Sequence, residues 1–250
     1  MISNLLLASD YDGTLKRNGA VAAEDIEAIR AFQAAGNVFC LCTGRCLHSA
    51  IEIMEAEALV PDLLIASNGA AVGKMDGSFL VKNPLTAKET AAIHQIAREC
   101  GNTAFACNAE DGSQMMFDSL NPARQTATIE QKLAEQYPIQ CTAVFKENPP
   151  AARRFTERVN AEIKGATAHL NGVYIDCTAR GVDKGLGVKK AAEALGIPLE
   201  NCYTIGDNEN DLPMLLPFHG AAIESGNPDT VAKVGRSTPT VAAFIKEILK

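Results

Sequence analysis

The stretch Leu5-Leu6-Leu7-Ala8-Ser9-Asp10-Tyr11-Asp12-Gly13-Thr14-Leu15 couples a short apolar run to a polar turn that carries two carboxylates. Residues 5–9 hold no charge, the pattern of a strand buried on both faces. Downstream, residues 22–35 place Ile26, Ile29 and Phe32 at helical spacing and end at Gly36, a residue suited to a left-handed helix stop. Residues 38–42 are a second apolar run. Strand, helix, strand predicts a parallel crossover unit.

Working outward, residues 63–66, 202–205 and 221–223 repeat the buried-strand pattern. Residues 47–58 form a second helical pattern that stops before Pro61, and a third runs from Asp183 as N-cap through Val188, Ala191, Ala192 and Leu195 to Gly196. The predicted fold class is therefore α/β, a doubly wound parallel sheet. The middle of the chain differs. Met75-Asp76-Gly77-Ser78 is a hairpin signal between residues 71–73 and 79–81, and Asn83-Pro84 then punctuates the chain. After it, helical patterns at 87–100, 123–136 and 151–163 alternate with candidate strands at 103–107, 114–117, 139–145, 167–170 and 173–177. Tight turns such as Asn171-Gly172 suggest antiparallel pairing with helices on one face. The expected organisation is a core of residues 1–83 and 180–250 interrupted by a smaller α+β domain, residues 84–179.

At 250 residues the chain is long for one compact domain and short for two full ones, which suits a core with an insertion. A hydrophobic content of 47% supplies ample core and argues against wholesale disorder. The net charge of −7, with scattered basic residues, leaves no positive stripe for nucleic-acid phosphates. The apolar start at residues 5–8 is too short for an export signal or a membrane span, so a soluble, cytoplasmic protein is expected. In that setting the eight cysteines are expected to be reduced and buried. The cluster Cys40, Cys42 and Cys46 has no standard zinc spacing and is expected to pack the core.

The chemistry concentrates where predicted strands end. Asp10 and Asp12 leave the carboxyl end of the first strand together, and that end is where open α/β sheets bind ligands. Such a pair shifts its pKa values or recruits a cation. Thr43-Gly44-Arg45 follows the second strand, offering a hydroxyl and backbone N–H groups to a phosphoryl oxygen. Lys184 stands at a helix start, where the dipole disfavours a cation unless an anion is near. Gly206-Asp207-Asn208-Glu209-Asn210-Asp211 adds further oxygen ligands of the kind a hard cation takes. Each segment alone also reads as a turn or a helix cap. Gly185-Leu186-Gly187 lacks the third glycine of a dinucleotide fingerprint and opens no first crossover unit.

In order, these four segments resemble the motifs of the haloacid dehalogenase superfamily of phosphatases, and most closely its Cof-type branch, in which Ser67-Asn68-Gly69-Ala70 and Gly181-Val182-Asp183-Lys184-Gly185 also look familiar. The resemblance spans the whole chain, with Lys16-Arg17-Asn18 a departure where such proteins often have an apolar residue. It implies a haloacid dehalogenase-like core with an α+β cap over residues 84–179 that sets substrate specificity. It implies a Mg2+-dependent phosphatase of small phosphorylated metabolites, sugar phosphates or related monoesters, acting through an aspartyl-phosphate on Asp10. Asp12 would be general acid and base, and Lys184 would offset charge. Thr43, Gly44, Lys184 and Asn210 would bind phosphate. Asp10, Asp12 through its carbonyl and Asp207 would hold the metal, with Asp211 in support. Arg45 and Asn68 would meet substrate or cap, whereas His169 and Asn171 are weaker candidates. A phosphomutase of the same superfamily and a non-catalytic phospholigand-binding module remain open alternatives.

Overall fold

The computed structural model describes residues 4–109, 114–119 and 138–250. In chain order the strands are β1 (Leu6–Ser9), β2 (Lys16–Arg17), β3 (Ala20–Val21), β4 (Val38–Cys42), β5 (Leu63–Ala66), β6 (Ala71–Gly73), β7 (Phe79–Lys82), β8 (Ala104–Ala109), β9 (Gln114–Ser119), β10 (Pro138–Val144), β11 (Ala166–Asn171), β12 (Tyr174–Ala179), β13 (Cys202–Gly206), β14 (His219–Ile223) and β15 (Ser237–Thr238). The described helices are α1 (Ala23–Ala34), α2 (Leu47–Ala56), α3 (Ala87–Cys100), α4 (Pro149–Glu162), α5 (Lys184–Leu195), α6 (Leu212–Leu215), α7 (Pro228–Val234) and α8 (Val241–Ile248). None of them is long and apolar enough to cross a membrane. The chain divides into two compact units, one of Met1–Val81 with Asp183–Lys250, the other Lys82–Val182.

The first unit is built on an eight-stranded sheet of order β15-β14-β13-β1-β4-β5-β6-β7. From β15 to β5 every pairing is parallel, and β6 returns antiparallel to β5. The parallel strands run outward from β1 in both directions, through β4 and β5 on one side and β13 to β15 on the other. Doubly wound sheets bind ligands where the strand order reverses, and here that point lies between β1 and β13. Successive side chains of a strand point to opposite faces. Leu6 and Ala8 of β1 accordingly join Cys40, Cys42, Ile65 and Cys202 in a core against Val188, Ala191 and Ala192 of α5. All eight cysteines are unpaired and buried, and Cys40 and Cys42 pack apolar residues as expected.

Two local outcomes differ from the sequence reading. The second helix ends at Ala56, short of residue 58, because Ala58 adopts a left-handed φ of 51°. Ala58 N–H then bonds Glu55 O at 3.1 Å and Leu59 N–H bonds Met54 O at 2.9 Å, closing the helix with a Schellman pattern on a non-glycine residue. In α1, Ile26 is only half-buried, whereas Asp25 is fully buried.

The second unit is a five-stranded antiparallel sheet of order β11-β12-β10-β8-β9. One sheet face, with Phe105, Cys107, Cys141, Ala143, Ile175 and Cys177, packs on Ile93, Ile96 and Ala97 of α3 and Phe155 and Val159 of α4. Thr86 and Glu89 close a capping box at the start of α3, and Asn148 caps α4 just before Pro149. The helix expected over 123–136 lies outside the described residues.

Candidate active site at the carboxyl edge of the sheet

The ladder between β1 and β13 continues one residue past β1, because Asp10 N–H donates to Ile205 O at 2.9 Å. Asp10 is thereby fixed at the reversal point of the sheet. The chain turns at once: Lys16 N–H bonds Tyr11 O at 2.8 Å and Gly13 N–H bonds Lys16 O at 3.0 Å. Gly13 has a φ of 96°, and a Cβ there would stand 2.4 Å from Asp207 Oδ2, so the β1 turn can nest against the β13 turn only with glycine. Thr14, fully buried, donates its hydroxyl to Asp207 Oδ1 at 3.0 Å. The sequence reading gives Thr14 no role. The one signal for it is its place two residues after Asp12.

The β13 turn is organised by Asp211, whose Oδ2 accepts the N–H groups of Asp207 at 2.8 Å and Asn208 at 3.1 Å. Its Oδ1 accepts from Lys184 Nζ at 2.6 Å. Lys184 is the first residue of α5, whose N-cap Asp183 accepts from Leu186 N–H at 2.8 Å. Its side chain is buried to 1% exposure, and Nζ also donates to Asp10 Oδ1 at 2.7 Å. The ordinary expectation for a lysine at a helix start, a solvated side chain, does not hold at this position: two carboxylates draw the ammonium inward. The helix can come this close because Gly185 faces Pro213 O and Gly187 faces Ile65 and Gly69, where a Cβ would stand 2.1 and 2.4 Å from its neighbour. These glycines serve packing.

Ligand oxygens of Asp10, Asp207 and Asp211 lie within 4.8 Å of one another. Burial, together with the neighbouring charges of Asp211 and Asp207, pushes the Asp10 carboxyl well above its usual range, with Lys184 opposing. Burial and Asp211 likewise raise Asp207. Burial pulls Lys184 down, but Asp10 and Asp211 outweigh it and hold the ammonium protonated. Asp10 Oδ2 is buried and receives no N–H or hydroxyl donor, and the Asp10 and Asp207 carboxyls stand within hydrogen-bonding reach of each other. A buried carboxylate oxygen without a donor is costly, and a hard cation is a fitting partner for it. The donor set fits as well: three clustered carboxylates face one lysine, an all-oxygen site with excess negative charge. The residues present therefore suit a divalent metal, with both Asp211 oxygens already engaged in holding Lys184 and the turn.

Thr43 directly follows β4 and is buried. Its N–H continues the ladder to Ile65 O at 2.8 Å, and its hydroxyl accepts from Arg45 N–H at 3.2 Å. Thr43 O accepts from Asn68 N–H at 3.0 Å and Arg45 O accepts from Ser67 N–H at 2.8 Å, which ties the turn around Gly44 to the Ser67–Gly69 segment. Ser67 and Asn68 both hold left-handed φ values, 52° and 51°, a conformation that costs about 1–2 kcal/mol for an ordinary residue such as Ser67 and that Asn adopts more readily. Asn68 is buried beneath this turn. Asn210 lies half-buried in the short Glu209–Asp211 turn after β13. Asp12 is the exposed member, its side chain 52% accessible, and its carboxylate receives Arg45 in a two-pronged pair with both N···O distances 2.8 Å. His169 bonds Thr178 Oγ1 at 2.8 Å within the second unit.

Residues 7–242 match the haloacid dehalogenase-like hydrolase family. The 5-amino-6-(5-phospho-D-ribitylamino)uracil phosphatase YitU of Bacillus subtilis (strain 168) is 26% identical over 97% of this chain and 96% of its own length. Among solved structures, a phosphatase of the haloalkanoate enzyme superfamily from Bacteroides thetaiotaomicron aligns with a TM-score of 0.81 at 22% identity, covering 99% of this chain and 95% of that one. A subclass IIB sugar phosphatase, BT4131, aligns with a TM-score of 0.79 at 20% identity, covering 98% of each. With a family match across nearly its whole length and the fold shared end to end, the chain belongs to the haloacid dehalogenase-like hydrolase family, and it is an enzyme whose full-length curated relatives include phosphatases.

Proposed function

We propose that this hydrolase is a Mg2+-dependent phosphatase of small phosphorylated metabolites, acting through an aspartyl-phosphate on Asp10. The observation that carries the reading is the buried Oδ2 of Asp10, without an N–H or hydroxyl donor and crowded by Asp207 and Asp211, with Lys184 clamped on its other oxygen. Mg2+ held by Asp10, the Asp12 carbonyl and Asp207 supplies the positive charge that lets a carboxylate approach a phosphate dianion.

In the first half-reaction an Asp10 oxygen forms a bond to phosphorus while the bond from phosphorus to the leaving oxygen breaks. Asp12 gives that oxygen its proton. In the second, water attacks phosphorus, Asp12 takes a proton from that water, and the bond to Asp10 breaks to release inorganic phosphate. Thr43, the Gly44 backbone and Asn210 hold phosphoryl oxygens, and Lys184 offsets charge on phosphate and nucleophile. The exposure of Asp12 against the burial of Asp10 supports this division, since the acid and base must reach both the leaving group and water.

For the substrate, the likeness to a phosphatase of a phosphorylated ribityl compound and to a sugar phosphatase supports primary phosphate esters of sugars or polyols. The inserted unit serves as the specificity cap in this reading. Inorganic phosphate release from sugar phosphates, pyridoxal phosphate and p-nitrophenyl phosphate, with Mg2+ or with chelator, tests the proposal. Release that requires both Mg2+ and Asp10 is expected. Turnover that persists in Asp10→Asn overturns it.

A further inference from the structure

The geometry points to Arg45 as a positioning residue for Asp12, one that fixes the plane of the carboxylate that exchanges the proton. The inference rests on the acid and base role of Asp12 proposed above. Surface ion pairs are ordinarily loose and worth little, but this one, between side chains 41% and 52% exposed, is two-pronged. Arg45 places Nε on Asp12 Oδ2 and an Nη on Oδ1, both at 2.8 Å, and this fork defines an orientation where a single contact would not.

The arginine is itself held on three sides. Its N–H bonds the Thr43 hydroxyl, its carbonyl accepts from Ser67 N–H, and its guanidinium lies 5.7 Å from the centroid of the Tyr11 ring. That ring is buried, with its hydroxyl donating to Glu57 Oε1 at 2.9 Å. Asp12 needs such a guide. Its side chain is half exposed on a turn, where a free carboxylate samples several rotamers, and a misplacement of about 1 Å at a reacting group can cost on the order of 10²-fold in rate. Arg45 thus joins the turn that carries the acid and base to the turn that carries the phosphate-binding Thr43.

A positioning role through Asp12 has a signature that a structural or phosphate-binding role lacks. Because kcat/KM counts only the steps through departure of the leaving group, Arg45→Gln is expected to lower it about 10- to 100-fold for a hexose phosphate, whose alkoxide needs the proton. For p-nitrophenyl phosphate, whose leaving group needs none, the loss is expected to stay below about 3-fold. In an Asp12→Asn background, Arg45→Gln is expected to cost less than about 2-fold further on the hexose phosphate. Arg45→Lys, which offers a point charge without a fork, is expected to recover only part of the loss. Melting temperatures of all variants in the same buffer confirm that folded protein is compared. Equal losses on the two substrates, or full additivity with Asp12→Asn, overturn the assignment of Arg45. Wild-type kcat/KM for Asp12→Asn on both substrates overturns the acid and base reading itself, and the role of Arg45 with it.

Discussion

Asp25 and Asp10 are both buried carboxylates of the same unit, and each touches a cation, yet their surroundings follow opposite rules. Asp25 accepts from Arg17 on Oδ2 at 2.5 Å and from the N–H of Ala242, in the first turn of α8, on Oδ1 at 2.8 Å. Arg17 also donates to Thr14 O. One anion meets one cation, both carboxylate oxygens are satisfied, and the helix dipole adds to the match. At Asp10, two carboxylates bond one ammonium, a third stands within reach of both, and an Asp10 oxygen is left without an N–H or hydroxyl donor. Charge that is balanced in the interior ties elements together, in this case β2, α1 and α8. Charge left in excess there is a cost to folding, and it persists where a ligand completes it.

The comparison breaks most sharply on activity. Asp10→Asn is expected to lower phosphate release by about 10⁴-fold or more, since the nucleophile is gone. The same variant in chelator is expected to melt no lower than wild type, because one of three crowded carboxylates has been neutralised. A clear fall in its melting temperature would place Asp10 with Asp25 as a structural carboxylate.

Asp25→Ala should show the reverse pattern. It strands Arg17 and the N–H of Ala242 and is expected to cost about 3–5 kcal/mol in urea unfolding, while kcat of the folded fraction holds near wild type. An unchanged midpoint would show that the balanced pair contributes nothing to stability.

Next in size is the response to metal. Mg2+ at about 100 times its Kd should stabilise the native state by about 2.7 kcal/mol, read as a rise in melting temperature that Asp207→Asn abolishes and Asp25→Ala retains. A melting temperature indifferent to Mg2+ would leave the excess charge around Asp10 without a cation to balance it.

The smallest effect concerns pH. Burial and neighbouring carboxylates raise Asp10 and Asp207 in the folded protein, so the native state keeps protons that the unfolded chain has already lost. The native state binds more protons over that window, and stability in chelator therefore falls as pH rises from the ordinary carboxylate range through the raised values. Asp10→Asn lacks its share of this loss. The difference in melting temperature between variant and wild type is expected to widen by a few degrees from acid to neutral pH, and a constant difference would count against the raised Asp10.

The local sequence determined a good deal of this molecule. Uncharged runs at β1, β4, β5 and β13 and the helical spacing between them dictated buried strands and crossovers, because binary pattern and end signals act over a few residues. The same local patterns put Asp10, Thr43 and Asp207 at strand ends and Lys184 at a helix start. Tertiary structure alone decided which groups meet. Lys184 is 174 positions from Asp10 and Ala242 is 217 from Asp25. The helical period through Ile26, Ile29 and Phe32 gave no sign that Asp25 beside it would be buried. The left-handed backbone of Ser67 and Asn68 and the fork of Arg45 on Asp12 are equally products of packing. Periodicity records which face of an element is apolar, while the partner of a charge is chosen by elements brought together from distant parts of the chain, where desolvation makes each unpaired group costly.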